Sequence, residues 1–374
     1  MQLDLTRLIF AALMVTAPAT HAQDVPDQLD LPALIAPRAA EAGFFDLTET
    51  DGRLVAVGER GVILTREPGA QDWIQRPVPL SATLVAVAFN GAGTGLAVGH
   101  DGVILRSTDR GETWSKITDG RALFLDVIAI AQGRFEDAQA ALEAAKASGS
   151  EDAEDLEFAA DDESFRLETA QQSLEYGPSW PLLDVVFTGP RTAWAVGAYG
   201  TLFLSEDAGG TWTLVSDRTD NFEDLHLNAI LQTSAGSLLL AGEAGMMFRS
   251  TDGGQSFERF DSFDGLSLFG LLEVDGFVAA YGFGDTLQMS RDDGATWESV
   301  GLDENYLLIG DIALGSGRAG LVGGTGSMIT LEGDGPVETS RPTGTRDFLS
   351  AGLRLASGEM VFVGEAGVAS MAEE

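Results

Sequence analysis

A five-residue cluster of the form Val-Gly-x-x-Gly returns seven times along the chain at a nearly constant step. It stands at Val57–Gly61, Val98–Gly102, Val196–Gly200, Ala241–Gly245, Tyr281–Asp285 (degenerate), Val322–Gly326 and Val363–Gly367. The first glycines of these clusters are 41, 98, 45, 40, 41 and 41 residues apart. Strand-like units with a period of roughly 40–45 residues suit a β-propeller, because one such unit cannot bury its apolar faces alone and must stack on its neighbours. The expected fold is all-β, a seven-bladed β-propeller over residues 44–374. The one long step exceeds a standard one by about 57 residues and predicts an insertion between blades two and three.

The second repeat shows the whole unit. Leu84–Phe89 is an apolar inner strand, Leu96–Val98 a second strand, Val103–Arg106 a third and Thr113–Ile117 an outer strand. Between the last two lies Ser107-Thr-Asp109-Arg-Gly111-Glu-Thr113-Trp114, an Asp-box. It recurs with Asp207, Gly209 and Trp212, with Asp252, Gly254 and Phe257, and with Asp292, Gly294 and Trp297. The Asp carboxylate can accept backbone N–H groups within the turn, the Gly permits positive φ, and the aromatic ring can bury a large area between blades. These residues read as turn-builders, not as catalysts.

The long step falls at about Arg121–Ser179. Apolar residues from Leu123 and Phe124 through Val127, Ala131, Phe135, Ala138, Leu142 and Ala145 recur at helical spacing. Leu156, Phe158, Phe165, Leu167, Ala170 and Leu174 form a second run, with a break at Ser148–Ser150. A helical hairpin is expected, although Leu123–Ala131 also resembles an inner strand. Glu151–Glu163 is densely acidic and reads first as a solvated helix face. The last blade reaches Glu374 after about three strands, so residues 23–43 are expected to close the ring, with Leu29–Ala39 as the missing outer strand.

Residues 1–22 read as a signal peptide. Arg7 precedes the apolar run Leu8–Ala17, and Thr20-His21-Ala22 is a small-residue cleavage site. Export to a periplasm, or to a lumen in a photosynthetic cell, follows, with no direct membrane insertion. The chain has no cysteine, which removes thiol catalysis, Cys-zinc sites and iron–sulfur clusters. Its net charge of −36 repels nucleic acid.

Val98-Gly99-His100-Asp101-Gly102-Val103-Ile104-Leu105-Arg106-Ser107-Thr108-Asp109 and the stretch from Leu182-Leu183-Asp184-Val185-Val186-Phe187 to Ala195-Val196-Gly197-Ala198-Tyr199-Gly200 resemble the photosystem II stability/assembly factor family. The resemblance covers about Phe44–Gly367, interrupted by the insertion. It implies a seven-bladed, exported Asp-box propeller with a non-enzymatic assembly or scaffolding role beside a membrane complex. Photosynthetic members carry a basic surface, whereas this chain is intensely acidic with scattered Arg60, Arg106 and Arg191. Bacterial relatives, often associated with RND-type export systems, supply the client that the resemblance implies: a protein partner in such a complex, bound by a monomer.

Strand geometry places the Gly-x-x-Gly turns and the insertion on one face of the ring and the Asp-boxes on the other. The first face is the candidate partner-binding surface, with Arg60, His100, Asp101, Ala198, Tyr199, Glu243 and Glu365. No catalytic residue, metal ligand or cofactor-binding motif is assigned. His100 and His226 lie far apart in sequence outside any ligand-spaced motif. The alternative is a carbohydrate-active Asp-box propeller, either a sialidase-like glycosidase or a lectin; a sialidase-like site needs converging arginines and a Tyr paired with a Glu. The four tyrosines are Tyr176, Tyr199, Tyr281 and Tyr306. A third reading is a structural surface module without a stable partner.

Overall fold

Every sheet is an antiparallel meander, and second strands such as Gly95–Gly99, Ala193–Gly197 and Leu238–Gly242 are buried on both sides. A computed structural model describes residues 27–176, 180–260, 265–333 and 335–371. The expected signal peptide, 1–22, lies outside them. The first sheet holds β1 (Phe44–Thr50), β2 (Arg53–Gly58), β3 (Ile63–Arg66) and β4 (Ile74–Arg76). The second holds β5 (Leu84–Phe89), β6 (Gly95–Gly99), β7 (Ile104–Ser107) and β8 (Ser115–Thr118). Two helices follow, α1 (Gly120–Ser148) and α2 (Ala153–Tyr176). The third sheet is β9 (Leu182–Phe187), β10 (Ala193–Gly197), β11 (Leu202–Ser205) and β12 (Thr213–Leu214). The fourth is β13 (Leu227–Gln232), β14 (Leu238–Gly242), β15 (Met247–Ser250) and β16 (Glu258–Phe260).

The fifth sheet has six strands: β17 (Leu268–Val274), β18 (Phe277–Ser290), β19 (Glu298–Gly315), β20 (Arg318–Gly323), β21 (Met328–Glu332) and β22 (Gly335–Ser340). Here β19 pairs with β18 through its first half and with β20 through its second. The last sheet has three strands, β23 (Leu349–Arg354), β24 (Met360–Gly364) and β25 (Gly367–Met371). The strands β1, β5, β9, β13, β17, β19 and β23 contact one another in that order, and β23 returns to β1. The result is an all-β propeller-like ring with two helices.

Both glycines of the repeated cluster have a physical cause. The first, as at Gly58 and Gly197, is extended, so freedom of φ is not the reason. A Cβ there would collide with the carbonyl of the residue ahead of the neighbouring first strand, Gly43 or Pro181. The next residue, Glu59 or Ala198, donates its N–H to that same carbonyl. The second glycine ends a left-handed pair: Arg60 at φ 55° precedes Gly61 at 71°, and Tyr199 at 55° precedes Gly200 at 68°. The degenerate Tyr281–Asp285 lacks this final glycine, and the expected turn is absent there. The chain runs straight through it as β18.

The Asp-box glycines press on the preceding sheet. Gly111 abuts Val55 on β2, and Gly254 abuts Trp194 on β10. Trp114, 6 % exposed, joins the cluster formed by Val55, Val57, Leu84, Val87 and Leu105, across the seam between the first two sheets.

Leu29–Ala39 does not add a strand to the last sheet. Its hydrogen bonds run instead to the end of the first sheet and the link beyond it: Ala33 N donates to Val78 O at 3.0 Å, and Gln75 Nε2 donates to Leu34 O at 2.9 Å. Leu29 is buried there with Val78, Leu80 and Trp114. Pro32 and Pro37 interrupt the row of amides that a ladder requires. The ring closes through side chains, and the end of the expected closing segment takes part without forming a strand: Ala39, Ala40 and Ala42 pack with Val361, Val363 and Val368. Phe44, Leu47 and Leu54 pack on Ala351, Val361 and Val363, and Arg66 meets Glu359 at 2.7 Å.

The helices begin where Asp119 caps α1, accepting from Arg121 N at 3.0 Å. Gly149, at φ 67°, ends that helix. Leu123–Ala131 lies within α1, not in a strand. Leu123, Phe124, Leu142 and Ala145 are buried, as are Leu167 and Ala170 on α2, whereas Phe158 and Phe165 point outward.

Candidate functional site

α1 rests on the turn His100–Gly102: Gly120 and Leu123 lie against Gly102. The helices therefore share a face with the Gly-x-x-Gly turns. At the other end of the sheets, Arg110 N of the Asp-box donates to Gly93 O in the β5–β6 turn. Asp109 Oδ1 accepts from Ser107 Oγ and Thr113 N, while Gly111 N donates to Ser107 Oγ. The Asp207, Asp252 and Asp292 boxes repeat this pattern. At Asp109 and Asp207 partial burial opposes ionisation, but hydrogen bonds from the turn outweigh it and hold the carboxyl below its ordinary range. Bonds from Ser250 lead the same downward shift at Asp252, and bonds from Thr296 lead it at Asp292. These carboxylates are saturated by their own turns and have little left to offer a ligand.

The residues assigned to the partner face do not behave alike. Arg60, His100 and Glu365 are exposed at separate turns. Glu243 and Glu365 each bend back to accept a backbone N–H, from His226 at 3.2 Å and from Phe348 at 2.7 Å. Asp101 accepts from Gln28, and burial, its largest influence, raises its pKa. Ala198 is corrected: at 2 % exposure it lies beneath the turn, because the close approach at Gly197 turns it inward, and it cannot contact a partner. Tyr199 is 47 % exposed.

Tyr199 belongs to a ladder that spacing alone does not reveal. Phe124 of α1 meets Trp180 with ring centroids 4.7 Å apart, Trp180 meets Tyr199 at 5.1 Å, and Tyr199 meets His226 at 5.0 Å. His226 Nδ1 accepts from Tyr199 N at 3.3 Å and lies 3.4 Å from Glu243 Oε2. Trp180 carries the available signal, since it is a tryptophan that belongs neither to an Asp-box nor, like Trp194, to a strand of the repeat. Above the ladder lies a cleft of about 390 Å³ between the helices and the third sheet. Ile130 and Arg134 line it from α1, Glu163 and Arg166 from α2, and Asp217 and Asp224 from the loop after β12. Arg166 and Asp224 are 3.6 Å apart. Burial raises the pKa of Asp224, with Arg166 and Arg134 opposing the shift. Glu163 Oε2 is buried without a hydrogen-bond partner.

A second constellation lines the ring's axis. Asp46 Oδ2 accepts from Val87 N at 2.7 Å, Asp184 Oδ2 from Ile230 N at 2.8 Å, and Asp311 Oδ2 from the Tyr281 hydroxyl at 2.6 Å. Each bond ties one first strand to the next or, at Tyr281, β18 to β19. Desolvation pushes Asp184 up to about 7 and Asp311 to about 6, and raises Asp46 as well. The neighbouring carboxylates add to the shift at Asp184 and Asp311. All three keep partial solvent access along the axis. Tyr281 is 2 % exposed, with its ring over Gly270, so a substrate cannot reach it as a nucleophile. Among the described residues no group of three or more His, Asp or Glu side chains is arranged to hold a metal. No described helix is long and apolar enough to cross a membrane.

Residues 167–267 match the family model of the photosynthesis system II assembly factor YCF48, and residues 105–116 match the BNR/Asp-box repeat. No curated protein sequence matches the chain. Among solved structures, a YCF48 bound to a D1 peptide is similar at 15% identity and a TM-score of 0.60, over 94% of this chain and 100% of that one. YCF48 from Cyanidioschyzon merolae is similar at 16% identity and a TM-score of 0.56, over 88% and 94%. The WD40 propeller domain of Doa1 is similar at 10% identity and a TM-score of 0.57, over 93% and 97%. Repeat, fold and family match together describe a photosystem II assembly factor-like propeller.

Proposed function

We propose that the chain is an exported, seven-bladed, non-enzymatic propeller that binds a protein of a membrane complex and helps to assemble or scaffold it. The count of seven divides the six-stranded sheet at the middle of β19, where its pairing changes partner. The helix pair is then an insertion joining adjacent blades two and three. One observation carries the reading: the segment matching the YCF48 family, 167–267, contains the end of α2, Tyr199, His226 and Glu243. That match therefore includes three of the four rings of the ladder, from Trp180 to His226, and the last part of one helix beside it. A relative of the same fold is bound to a D1 peptide, a protein ligand. The acidic surface, at a net −36, favours a basic partner, and an RND-type transporter is the proposed client.

Photocrosslinkers placed singly at Arg60, Tyr199 and Asp252 in the exported protein test this. The protein is expected in the periplasmic fraction with an N-terminus at residue 23. Arg60 and Tyr199 should trap the same membrane-complex subunit, and Asp252, on the opposite face, should trap none. Trapping from Asp252 alone, retention in the cytoplasm, or sialoside hydrolysis by the purified protein would overturn the proposal.

A further inference from the structure

We infer that the cleft between α1, α2 and the third sheet receives an arginine or lysine side chain carried on an apolar stretch of the partner protein. This deepens the proposed function and rests on it. The cleft's floor is aromatic: Trp180 and the half-exposed ring of Tyr199 line it, and aromatic rings attract cations. Its walls are acidic. Four carboxylates, Asp162, Glu163, Asp217 and Asp224, stand against two guanidiniums, Arg134 and Arg166. Arg166 lies 3.6 Å from Asp224 and is largely answered by it. The remaining excess is negative.

Glu163 supplies the specific vacancy. Its Oε2 atom is buried and accepts no hydrogen bond, although a desolvated carboxylate oxygen without a donor is costly. A guanidinium or ammonium group entering the cleft brings the donors that this oxygen lacks, and both ions are better paired with water excluded. Of the acidic run Glu151–Glu163, the first member Glu151 is solvent-exposed, while this last one has an oxygen enclosed. Phe165 and Phe222, 71 % and 73 % exposed, stand on α2 and on the loop carrying Asp224. Apolar residues beside the cation would cover them, which favours a peptide over a free cation. A cleft of about 390 Å³ holds one long side chain and part of its neighbours.

Titration of the whole protein with two blocked peptides tests this, read by tryptophan fluorescence and calorimetry. The probes are acetyl-Gly-Leu-Arg-Leu-Gly-amide and the same peptide with Glu in place of Arg. The Arg peptide is expected to bind saturably and at least tenfold more tightly than the Glu peptide. Glu163→Gln should weaken it at least tenfold, as should Tyr199→Asn, chosen because Asn accepts the left-handed backbone found there. Equal affinity for the two peptides, or no loss in either variant while both keep the parent melting temperature, would overturn the inference. So would free arginine amide binding as tightly as the Arg peptide, since the occupant would then be a small cation. Photocrosslinking to a membrane subunit without Arg-peptide binding would sink this inference alone and leave the proposed function standing.

Discussion

The two ends of the ring are made from the same repeat, yet they handle polar groups in opposite ways. At the Asp-box end Asp109, Asp207, Asp252 and Asp292 each accept hydrogen bonds from their own turn. At the Gly-x-x-Gly end the turns carry side chains at left-handed positions, Arg60, Asp101, Tyr199, Ala244 and Thr325, five different residues on one backbone shape. A turn fixed by its glycines leaves the residue between them free to vary. The Asp-box turn also varies at its left-handed position, held by Arg110, Ala208, Gly253 and Asp293, but its Ser and Asp side chains are consumed by the turn itself. The difference suits the proposed partner face to the Gly-x-x-Gly end: Glu243 and Glu365 still brace the backbone, but the left-handed side chains such as Arg60 and Tyr199 are not needed to hold their turns.

The largest expected effect probes the seam beneath the Asp-boxes. Trp114→Ala should destabilise the protein by about 3–5 kcal/mol, seen as a lower denaturant midpoint. An unchanged midpoint would mean that the ring does not depend on this aromatic. Gly197→Ala comes next, at about 1–3 kcal/mol, because a methyl group there meets the Pro181 carbonyl. If it were silent, backbone approach would not define that end. Asp109→Ala should cost about 1–2 kcal/mol through its lost turn bonds without altering peptide binding in the cleft. Any loss of binding would break the division of labour between the two ends.

The last expected effect is read as a slope with pH and not as a single midpoint. In the folded chain Asp184 and Asp311 titrate near 7 and 6, well above the ordinary carboxylate value near 4. The folded protein thus holds protons that the unfolded chain has lost, and these groups make stability fall as pH rises from about 4 to about 7. The Asp-box carboxylates act in the other sense, and their contribution disappears below about pH 4. Asp184→Asn should flatten the decline between pH 4 and 7 in thermal melts. A parent-like slope would show that the axial carboxylates do not control it.

Much of this was legible in the sequence, because each repeat carries its own local cause. Glycine at 58 or 197 and the Ser-x-Asp-x-Gly pattern write the turns directly. The helix pair was legible from its spacing, although Phe158 and Phe165 turned outward. Three features were not legible. The straight passage through Tyr281–Asp285 needed the missing glycine to be read as the loss of a turn. The course of Leu29–Ala39 was settled by an apolar berth for Leu29 and by the pairing of Asp30 with Arg121 at 2.9 Å, both contacts far away in sequence. The ladder joins residues 124, 180, 199 and 226, which no single repeat contains. Sites assembled across units escape a reading made one unit at a time.

The three-stranded last sheet has a consequence of its own. In the first four sheets the third strand is covered by a short outer one, down to two residues at β12. Here β25, five residues long, is the rim, and among the described residues nothing pairs with its outer side. Ala40 and Glu41 cover its first residue, Gly367, and the rest of such a rim is a template on which copies of a chain can polymerise. Arg66, buried and paired with Glu359, reaches from the first sheet to Ser370 at 3.2 Å and ties this strand to the closing seam. Loss of that guanidinium would strip Glu359 of its partner and loosen the closing seam, so lower stability and concentration-dependent fibre growth would appear together.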